Sequence, residues 1–475
     1  MFEEFPPIST QEWENVIQKD LKGADYAKKL LWKTLDGFTV KPYYREEDTK
    51  NIPNLEENQC VIRKNRNNND WEIVSESHNE DDLFVIDAYL FHDSGATITQ
   101  ALGISLAWAK MYLSQLTAMK LTIDEIVPKI RVNLSIDSNY FFEIAKIRAA
   151  RLLYHRLLTE YHATDSKIHI TAITSSWNKT IYDAYNNVLR STTEAMSAII
   201  GGADALKIGS FDEFFKAKNE FSSRIAENQQ HILKEESHLD EVIDPAAGSY
   251  YIESITEEIA KQAWMFFQEI EEKGGFQTCV ENDFLCERIS ESTAQKLKDI
   301  ASRKKSILGV NIFPNVNERI DAAQLVSTTS DKPRAAEQIE KIRLKTEKYV
   351  ADGNKRPLVF LLTFGDLTMR RARAGFALNF FGCAGFDIQD NNGFASIEEG
   401  LAAADKAQAD IVVFCSSDDE YAQLFDSQLD IDNNYKALFV LAGNPGENEK
   451  NYRNAGIETF IHVKSNLVKT LNGLL

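Results

Sequence analysis

Short apolar runs alternate with longer amphipathic stretches through the first half of the chain. The strand-like runs lie at residues 71–74, 83–90, 130–136, 168–174 and 205–208, and the helical patterns at residues 97–117, 140–161 and 184–200. Strands that alternate with helices are typical of a parallel sheet covered by helices. The pattern therefore predicts a (β/α) barrel of the TIM type over residues 70–275. We expect it to be incomplete, because a complete barrel of eight strands takes ~250 residues.

The same alternation returns near the carboxyl terminus. The apolar runs that predict five further strands lie at residues 359–362, 386–388, 411–415, 437–441 and 459–461. Five parallel strands in residues 355–475 fit a flavodoxin-like doubly wound fold. Its first unit, residues 357–386, predicts a strand, a turn at Phe364-Gly365-Asp366 and a helix. The first N–H groups of that helix would face any ligand at the carboxyl edge of the sheet.

The rest of the chain predicts helices and connecting loops. One helix opens at Ser9 and a second covers residues 24–32, whereas DPAAGSYYIE at residues 244–253 predicts a tight turn before a helix over residues 256–273. An irregular stretch follows over residues 311–330. The predicted segments are an amino-terminal arm at residues 1–69, a barrel-like domain at 70–275, a helical linker at 276–354 and the flavodoxin-like domain at 355–475.

Composition narrows the class of protein. The chain has 475 residues, of which 43% are hydrophobic and 26% charged, as in a soluble globular protein. Its net charge of −19 disfavours nucleic-acid binding, because such a surface repels phosphate. The sequence predicts no membrane span and no signal peptide, so we expect a cytoplasmic protein. Five scattered cysteines without a CxxC pair predict reduced, structural thiols, and Cys415 in particular predicts a core position.

Six stretches, in order along the chain, carry a family resemblance. They are WKTLDGF (residues 32–38), KPYY (41–44), HDSGAT (92–97), NYFFEIAKIRAAR (139–151), YNNVLR (185–190) and DPAAGSYYIE (244–253). Together they resemble the methylmalonyl-CoA mutase family. The resemblance implies a barrel threaded by coenzyme A and a flavodoxin-like domain that holds adenosylcobalamin. It also implies the interconversion of methylmalonyl-CoA and succinyl-CoA by a radical reaction, in which the cofactor supplies the radical chemistry.

The family's cobalt ligand is a histidine in an Asp-x-His-x-x-Gly motif after the first strand of its last domain. This chain has no histidine between residues 239 and 461. If Asp366 matches the aspartate of the motif, Thr368 replaces the histidine and Arg371 replaces the glycine. If the motif is moved two residues further along the chain, Arg370 replaces the histidine and Arg373 replaces the glycine. Arginine cannot donate a lone pair to a metal, and a threonine hydroxyl is a poor substitute for imidazole.

Other positions of the family's sites depart as well. The groove positions carry Ser416-Ser417-Asp418 and Ala442-Gly443, and Leu90 stands where the family has its active-site histidine. A leucine can neither donate a hydrogen bond nor move a proton. Ile173 replaces a glutamine, and the barrel units expected between residues 71 and 83 are missing. We therefore expect no catalytic residue, no bound cofactor and no metal in this chain, with Asp366, Thr368, Arg370, Ser416 and Gly443 as degenerate cofactor positions.

Several residues admit two interpretations. For Arg370, Arg371 and Arg373 we favour a solvated helix face over a site for an anion or a carboxylate-bearing partner. His92 is two residues from the family's catalytic position, so we favour a hydrogen-bonded structural residue over a displaced acid. Residues 185–190 and 244–251 favour capping and packing roles over substrate contacts.

The resemblance and its departures together predict a non-catalytic, β-type chain. Such a chain pairs as a heterodimer with a catalytic large subunit of an adenosylcobalamin-dependent methylmalonyl-CoA mutase, and the partner holds the cofactor. We expect this chain to stabilise that partner and to contact neither nucleic acid nor membrane. Two alternatives stay open: an acyl-CoA mutase that binds cofactor without a histidine ligand, and a stand-alone CoA-binding or adaptor protein.

Overall fold

A computed structural model describes residues 7–64, 66–74, 84–165, 167–217, 219–320, 333–426 and 435–474. It shows an α/β protein with two parallel sheets of five strands and one short antiparallel ribbon. The strands are β1 (Trp32–Lys33), β2 (Thr39–Val40), β3 (Glu72–Ile73), β4 (Phe84–Ile86), β5 (Ile130–Ile136), β6 (His169–Thr174), β7 (Ala205–Lys207), β8 (Leu358–Thr363), β9 (Asp387–Gln389), β10 (Ile411–Cys415), β11 (Leu438–Ala442) and β12 (Thr459–Ile461).

Helices cover both sheets. They are α1 (Thr10–Asp20), α2 (Tyr26–Leu30), α3 (Glu46–Thr49), α4 (Leu55–Arg63), α5 (Tyr89–Asp93), α6 (Ile98–Ala118), α7 (Ile123–Ile126), α8 (Tyr140–Glu160), α9 (Asn186–Gly201), α10 (Glu220–His231), α11 (Tyr250–Glu272), α12 (Gly275–Glu281), α13 (Phe284–Ala301), α14 (Glu337–Ala351), α15 (Leu367–Gly382), α16 (Ile397–Lys406), α17 (Asp418–Asp426), α18 (Glu449–Asn454) and α19 (Leu467–Asn472). In the described part of the chain, no helix is long and apolar enough to cross a membrane.

The first sheet has the order β3-β7-β6-β5-β4, and all its pairs are parallel. Val132 and Leu134 of β5 lie beside Ile170 and Ala172 of β6, and all four are buried in the core formed with the covering helices. Strands β3 and β4, neighbours in sequence, form opposite edges. The described strands therefore make an open sheet with a barrel-like order, and they do not close into a barrel.

The predicted strand over residues 83–90 is wrong in its length. Only Phe84–Ile86 pairs with β5, while Tyr89–Asp93 turns into helix α5. The ring of Phe91 packs edge-on against Trp108 and Phe276, so the apolar run continues as helix rather than strand. A short apolar run fits a buried strand and a buried helix equally well, which is why the sequence pattern misplaced this boundary.

Two predicted helices have different bounds. The helix expected at residues 256–273 begins at Tyr250, because the Ser249 side chain caps it by accepting from Ile252 N. The helix expected at residues 24–32 is confined to Tyr26–Leu30, and the chain then forms the β1–β2 ribbon. The amino-terminal helix is confirmed, with Ser9 as its N-cap.

The second sheet has the order β12-β11-β10-β8-β9, which fits a flavodoxin-like arrangement. Its five predicted strands are all present, with the second and the fourth each displaced by one residue, to Asp387–Gln389 and Leu438–Ala442. Side chains of β8 alternate between two buried clusters, since Leu361 packs with Phe380 of α15 and Leu362 packs with Leu401 of α16. Cys415 lies in the core, as predicted. Helices therefore cover both faces of this sheet.

The loop after β6 connects the first sheet to the linker. Trp177 O accepts a hydrogen bond from Ala335 N (2.8 Å), and Ile181 N donates to Glu340 Oε1 of α14 (2.7 Å). Trp177 is also buried in the same apolar cluster as Phe380 of the second sheet. The second half of the predicted irregular stretch at residues 311–330 lies outside the described residues.

Candidate functional site

The first candidate site is the crevice at the carboxyl edge of the second sheet, where α15 follows β8. Asp366 caps α15, since its Oδ1 accepts from Met369 N (2.9 Å). Asp366 and Thr368 are exposed at the start of the helix. In doubly wound sheets, ligands bind at the point where strand order reverses, which here lies between β8 and β10.

Glu420 fills part of this crevice. Its carboxylate accepts hydrogen bonds from Ser416 Oγ, from Ser417 Oγ (2.8 Å) and from Asp366 N (2.8 Å). Desolvation opposes ionisation, but these hydrogen bonds prevail and lower the pKa of Glu420 to about 2. The carboxylate therefore accepts hydrogen bonds from donors at the ends of β8 and β10 that would otherwise be available to a ligand.

Two of the arginines on α15 pair with loops of the crevice. Arg373 Nη2 lies 2.8 Å from Asp418 Oδ1, and Arg371 Nη1 lies 3.6 Å from Asp390 Oδ2. Arg371 is exposed, whereas Arg373 is half-buried. The solvated helix face predicted for this cluster therefore describes Arg371 better than Arg373, because Arg373 joins α15 to the first residue of α17.

Arg370 lies across the same opening. Its Nη1 donates to Gly365 O (3.2 Å). A Cβ added at Gly393 would lie 2.6 Å from Arg370 Nη1, so the guanidinium rests directly on that loop. Arg370 is the residue that replaces the cobalt-ligating histidine in the second register of the motif. Its guanidinium is a cation that contacts its own domain.

The deeper part of the crevice is occupied by Tyr421. Its hydroxyl accepts from Ser416 N (2.7 Å) and lies 3.1 Å from Ala442 O. Burial raises the pKa of Tyr421 well above 10. Gly443 is buried beside it, and a Cβ there would approach Leu441 within 2.9 Å. Glu420 and Tyr421 were missed as site residues, although Ser417 followed three residues later by Glu420 is the sequence pattern of a capping box.

These residues do not fit a cobalt-bound corrinoid. Thr368 and Arg370 offer no lone pair suited to cobalt at the start of α15. The one histidine of residues 355–475 is His462, which follows β12, three strands from β8 in the sheet. Its Nδ1 accepts from Lys464 N (3.2 Å). No step of chemistry through cobalamin is derived for this chain.

The second candidate site is the carboxyl edge of the first sheet, where Asp93 is buried. Its Oδ1 accepts from Ser135 Oγ (2.7 Å) and Ser175 Oγ (2.8 Å), and its Oδ2 accepts from Ser176 Oγ (2.9 Å). Asp93 thus ties α5 to the ends of β5 and β6. From the sequence, Asp93 was identified only as part of the HDSGAT stretch, because its serine partners lie 42 to 83 residues away.

His92 precedes Asp93 in α5 and is only 3% exposed. Among the described residues, neither ring nitrogen has a hydrogen-bond partner. Asp137 Oδ2 is 3.8 Å from Nε2, too long for a hydrogen bond. Desolvation raises the pKa of Asp137, but the nearby His92 outweighs it and the net shift is downward. The prediction of a hydrogen-bonded structural histidine is therefore wrong in its hydrogen bonding.

A buried ion-pair network joins two of the stretches that carry the family resemblance, NYFFEIAKIRAAR and DPAAGSYYIE. Arg148 of α8 is fully buried and pairs with Asp244 through Nη1 and with Glu253 through Nη2 (2.7 Å). Glu253 Oε1 also accepts from Gln59 Nε2 (2.8 Å) and Gly248 N (2.9 Å). The DPAAGSYYIE segment is thus clamped to α8, a packing role that includes charge.

The YNNVLR segment holds the loop after β6. Asn187 is buried and its Nδ2 donates to Thr180 O (2.8 Å) and to Phe211 O (2.9 Å). Arg190 donates to Leu308 O (2.8 Å) in the linker. Tyr185, 70% exposed, stacks on Phe211. In the described structure these side chains contact protein groups of the loop and linker.

Comparison with known proteins identifies relatives along the whole chain. The family model described as methylmalonyl-CoA mutase matches residues 72–354. A methylmalonyl-CoA mutase small subunit of Porphyromonas gingivalis is 35% identical, and the match covers 99% of this chain and 97% of that relative. A probable methylmalonyl-CoA mutase small subunit of Mycobacterium bovis is 34% identical over 82% of this chain and 64% of its own length. Methylmalonyl-CoA mutase of Escherichia coli is 37% identical over 48% of this chain.

The match to the Porphyromonas gingivalis relative also shows an internal shortening. The alignment spans 607 positions, whereas this chain has 475 residues. Subtracting 475 from 607 leaves at least 132 positions of that relative with no counterpart in this chain.

Proposed function

This chain belongs to the methylmalonyl-CoA mutase family, and on that premise we propose that it is the non-catalytic small subunit of an adenosylcobalamin-dependent methylmalonyl-CoA mutase. In this proposal a catalytic large subunit interconverts methylmalonyl-CoA and succinyl-CoA and holds the cofactor. The observation that carries the proposal is the crevice at α15, where Arg370 and Glu420 fill the opening and no histidine is available.

The role of this chain in the heterodimer is structural. Adenosylcobalamin, when bound in the large subunit, supplies the radical chemistry. The residues of this chain hold a scaffold: Asp93 brackets two strand ends, and Arg148 clamps α8 to the DPAAGSYYIE segment. Leu90, in the place of the family's active-site histidine, has no group that can transfer a proton. Both features support a chain that stabilises its partner without catalysing the reaction.

We further propose that the first sheet is an eight-stranded barrel that lacks three consecutive βα units. If β3 is the first strand and β4 the fifth, then β7 is the eighth, and an eighth strand pairs with the first in a closed barrel. The parallel pairing of β3 with β7 supports this assignment. At roughly 30 residues per unit, three units fit within the at least 132 positions that this chain lacks.

The missing units favour association with a partner. Strands β3 and β4 each pair with one strand only among the described residues, so they are the edge strands of this sheet. A partner subunit could cover these two edges. This is the structural reason for a heterodimer in the proposal.

The test compares the isolated chain with the reconstituted pair. The full chain is purified alone and together with a large subunit from the same source, and both are incubated with adenosylcobalamin. We expect the pair to take up cofactor and to isomerise methylmalonyl-CoA, and the isolated chain to leave the visible spectrum of free cobalamin unchanged. Tight cofactor uptake or isomerisation by the isolated chain contradicts the proposal and favours a mutase active in its own right.

A further inference from the structure

A cavity of about 380 Å³ opens at the carboxyl edge of the first sheet, between the β1–β2 ribbon, α5 and α13. Its volume is within the range of about 300–1,000 Å³ that is usual for small-molecule sites. His92, Asp137, Trp177 and Lys296 are among the residues that line it. The cavity lies in the first sheet and is separate from the crevice at α15.

His92 is the first sign of a ligand. It is 3% exposed, it lines the cavity, and neither of its ring nitrogens has a hydrogen-bond partner among the described residues. Buried polar groups are nearly always paired, because an unpaired one loses its hydration without compensation. A ligand atom in the cavity would supply the missing partner.

The carboxylates that line the cavity already have partners. Those partners are Thr99 N for Asp36 (3.0 Å), Asn178 Nδ2 for Asp137 (2.8 Å), Lys146 Nζ for Glu143, and Gln295 Nε2 for Asp299 (2.8 Å). The lining also carries four lysines, Lys33, Lys296, Lys304 and Lys305, so its four carboxylates are matched in number by cations. A singly charged anion therefore disturbs this balance less than a doubly charged one.

Lys296 supplies the complementary group. Its ammonium donates to Ala96 O (2.8 Å) and lies 5.4 Å from the ring centre of Trp177. An ammonium has three donors, so donors remain for a ligand. Trp177, Phe142 and Ile98 give the cavity an apolar wall beside these polar groups.

We propose that this cavity binds a singly charged short-chain carboxylate. The carboxylate accepts hydrogen bonds from Lys296 and His92, and its hydrocarbon chain packs against Trp177 and Phe142. This binding site is independent of the proposed small-subunit role, since it requires neither catalysis nor a partner. The apolar wall favours a carboxylic acid with a hydrocarbon tail over inorganic phosphate.

Tryptophan fluorescence of the full chain tests the site, because Trp32 and Trp177 line the cavity. The probes are sodium butyrate and sodium hexanoate, with succinate and inorganic phosphate as multiply charged comparisons, and calorimetry confirms each affinity. We expect saturable binding of butyrate or hexanoate. Absence of binding by both overturns the proposal, and tighter binding of succinate or phosphate overturns the singly charged, apolar-tailed assignment.

Two variants locate the site. K296M and H92F each remove one charge-assisted or polar contact, and we expect each to weaken carboxylate binding by about tenfold. K298M is the matched control, since Lys298 is an exposed lysine of the same helix α13 that does not line the cavity. Equal affinities in all three variants overturn the proposal. If K296M does not fold by circular dichroism, H92N and the wild-type titrations decide the outcome.

Discussion

Each of the two sheets ends in a carboxylate that serine hydroxyls hold, and the two carboxylates differ in burial and reach. Asp93 is buried and joins Ser135 of β5 to Ser175 after β6, which are 42 and 82 residues away in sequence. Glu420 of α17 is half-buried, and its hydroxyl partner Ser417 is only three residues away. Beside Asp93 a cavity remains, and neither ring nitrogen of His92 has a hydrogen-bond partner in the part of the chain that the structure describes. Beside Glu420 the opening is filled by Arg370 and Tyr421.

The comparison shows two ways in which a scaffold can differ from its family's sites. In the second sheet, charged side chains occupy the crevice and satisfy one another. In the first sheet, Leu90 stands at the position that the family resemblance assigns to catalysis. The hydrogen bonds of Asp93 to the serines leave a cavity that His92 lines. We therefore expect the first sheet to depend on buried charge for stability, and the second on exposed charge.

The largest expected effect is the loss of Arg148. R148M leaves Glu253 buried without its cation and leaves Asp244 with only the more distant Arg63, and breaking such a buried pair typically costs about 3–5 kcal/mol. Urea unfolding followed by circular dichroism measures the change in the free energy of unfolding. The matched control is R63M, since Arg63 is half-exposed and 3.6 Å from Asp244, and about 1 kcal/mol or less is expected. Equal urea midpoints for R148M and R63M would contradict the structural role of the buried pair.

Replacing Asp93 tests its hydrogen bonds to the three serines. D93N keeps the shape but places an amide N–H against the donors of the surrounding serines. We expect a loss of about 1.5–3 kcal/mol in the free energy of unfolding, as for hydrogen bonds to a buried charged group. S176A removes a single hydrogen bond and should cost about 1 kcal/mol. The comparison with Glu420 fails if D93N unfolds no earlier than S176A in urea.

The fold could be predicted where burial alone determines the pattern. The fully buried strand β10 follows from its apolar run, and its predicted bounds at residues 411–415 are those observed. The boundary at residues 83–90 failed, because the helix that follows packs Phe91, which is partly buried, against Trp108 and Phe276, and these contacts are not visible in the local apolar run. The start of α11 failed because Ser249 was interpreted as part of a turn rather than as a cap.

The candidate sites show the same limit. Thr368 and Arg370 were identified from the sequence, because a family motif fixes their places. The hydrogen bond from Asp366 N to Glu420 joins residues 54 apart, and no local pattern indicates that proximity. The unpartnered state of His92 depends on the distance to Asp137, which only the packed structure gives.

The pH dependence of stability should reveal Glu420. Its folded-state pKa of about 2 is below its ordinary value of 4.5. The stabilisation is therefore fully present above pH 4.5 and is lost as pH falls through about 2. Because the Glu420 side chain is only half-buried, screening by solvent reduces the effect to roughly 1 kcal/mol.

The measurement compares melting temperatures of wild type and E420Q between neutral pH and pH 2. We expect wild type to be more stable at neutral pH and the difference to vanish in acid. E447Q, which alters an exposed glutamate of the same domain, should follow wild type throughout. A difference between wild type and E420Q that is independent of pH would show that Glu420 acts through shape rather than charge.

The smallest expected effect concerns the pair of Arg373 and Asp418. The Asp418 side chain is 67% exposed, so solvent screens a pair whose distance of 2.8 Å is otherwise favourable. A double-mutant cycle of R373M and D418N should give a coupling of about 0.2–1 kcal/mol, lower in high salt. A coupling as large as that expected for Arg148 and Glu253 would remove the distinction drawn here. It would mean that ion pairs shielded from solvent stabilise the second sheet as much as they stabilise the first.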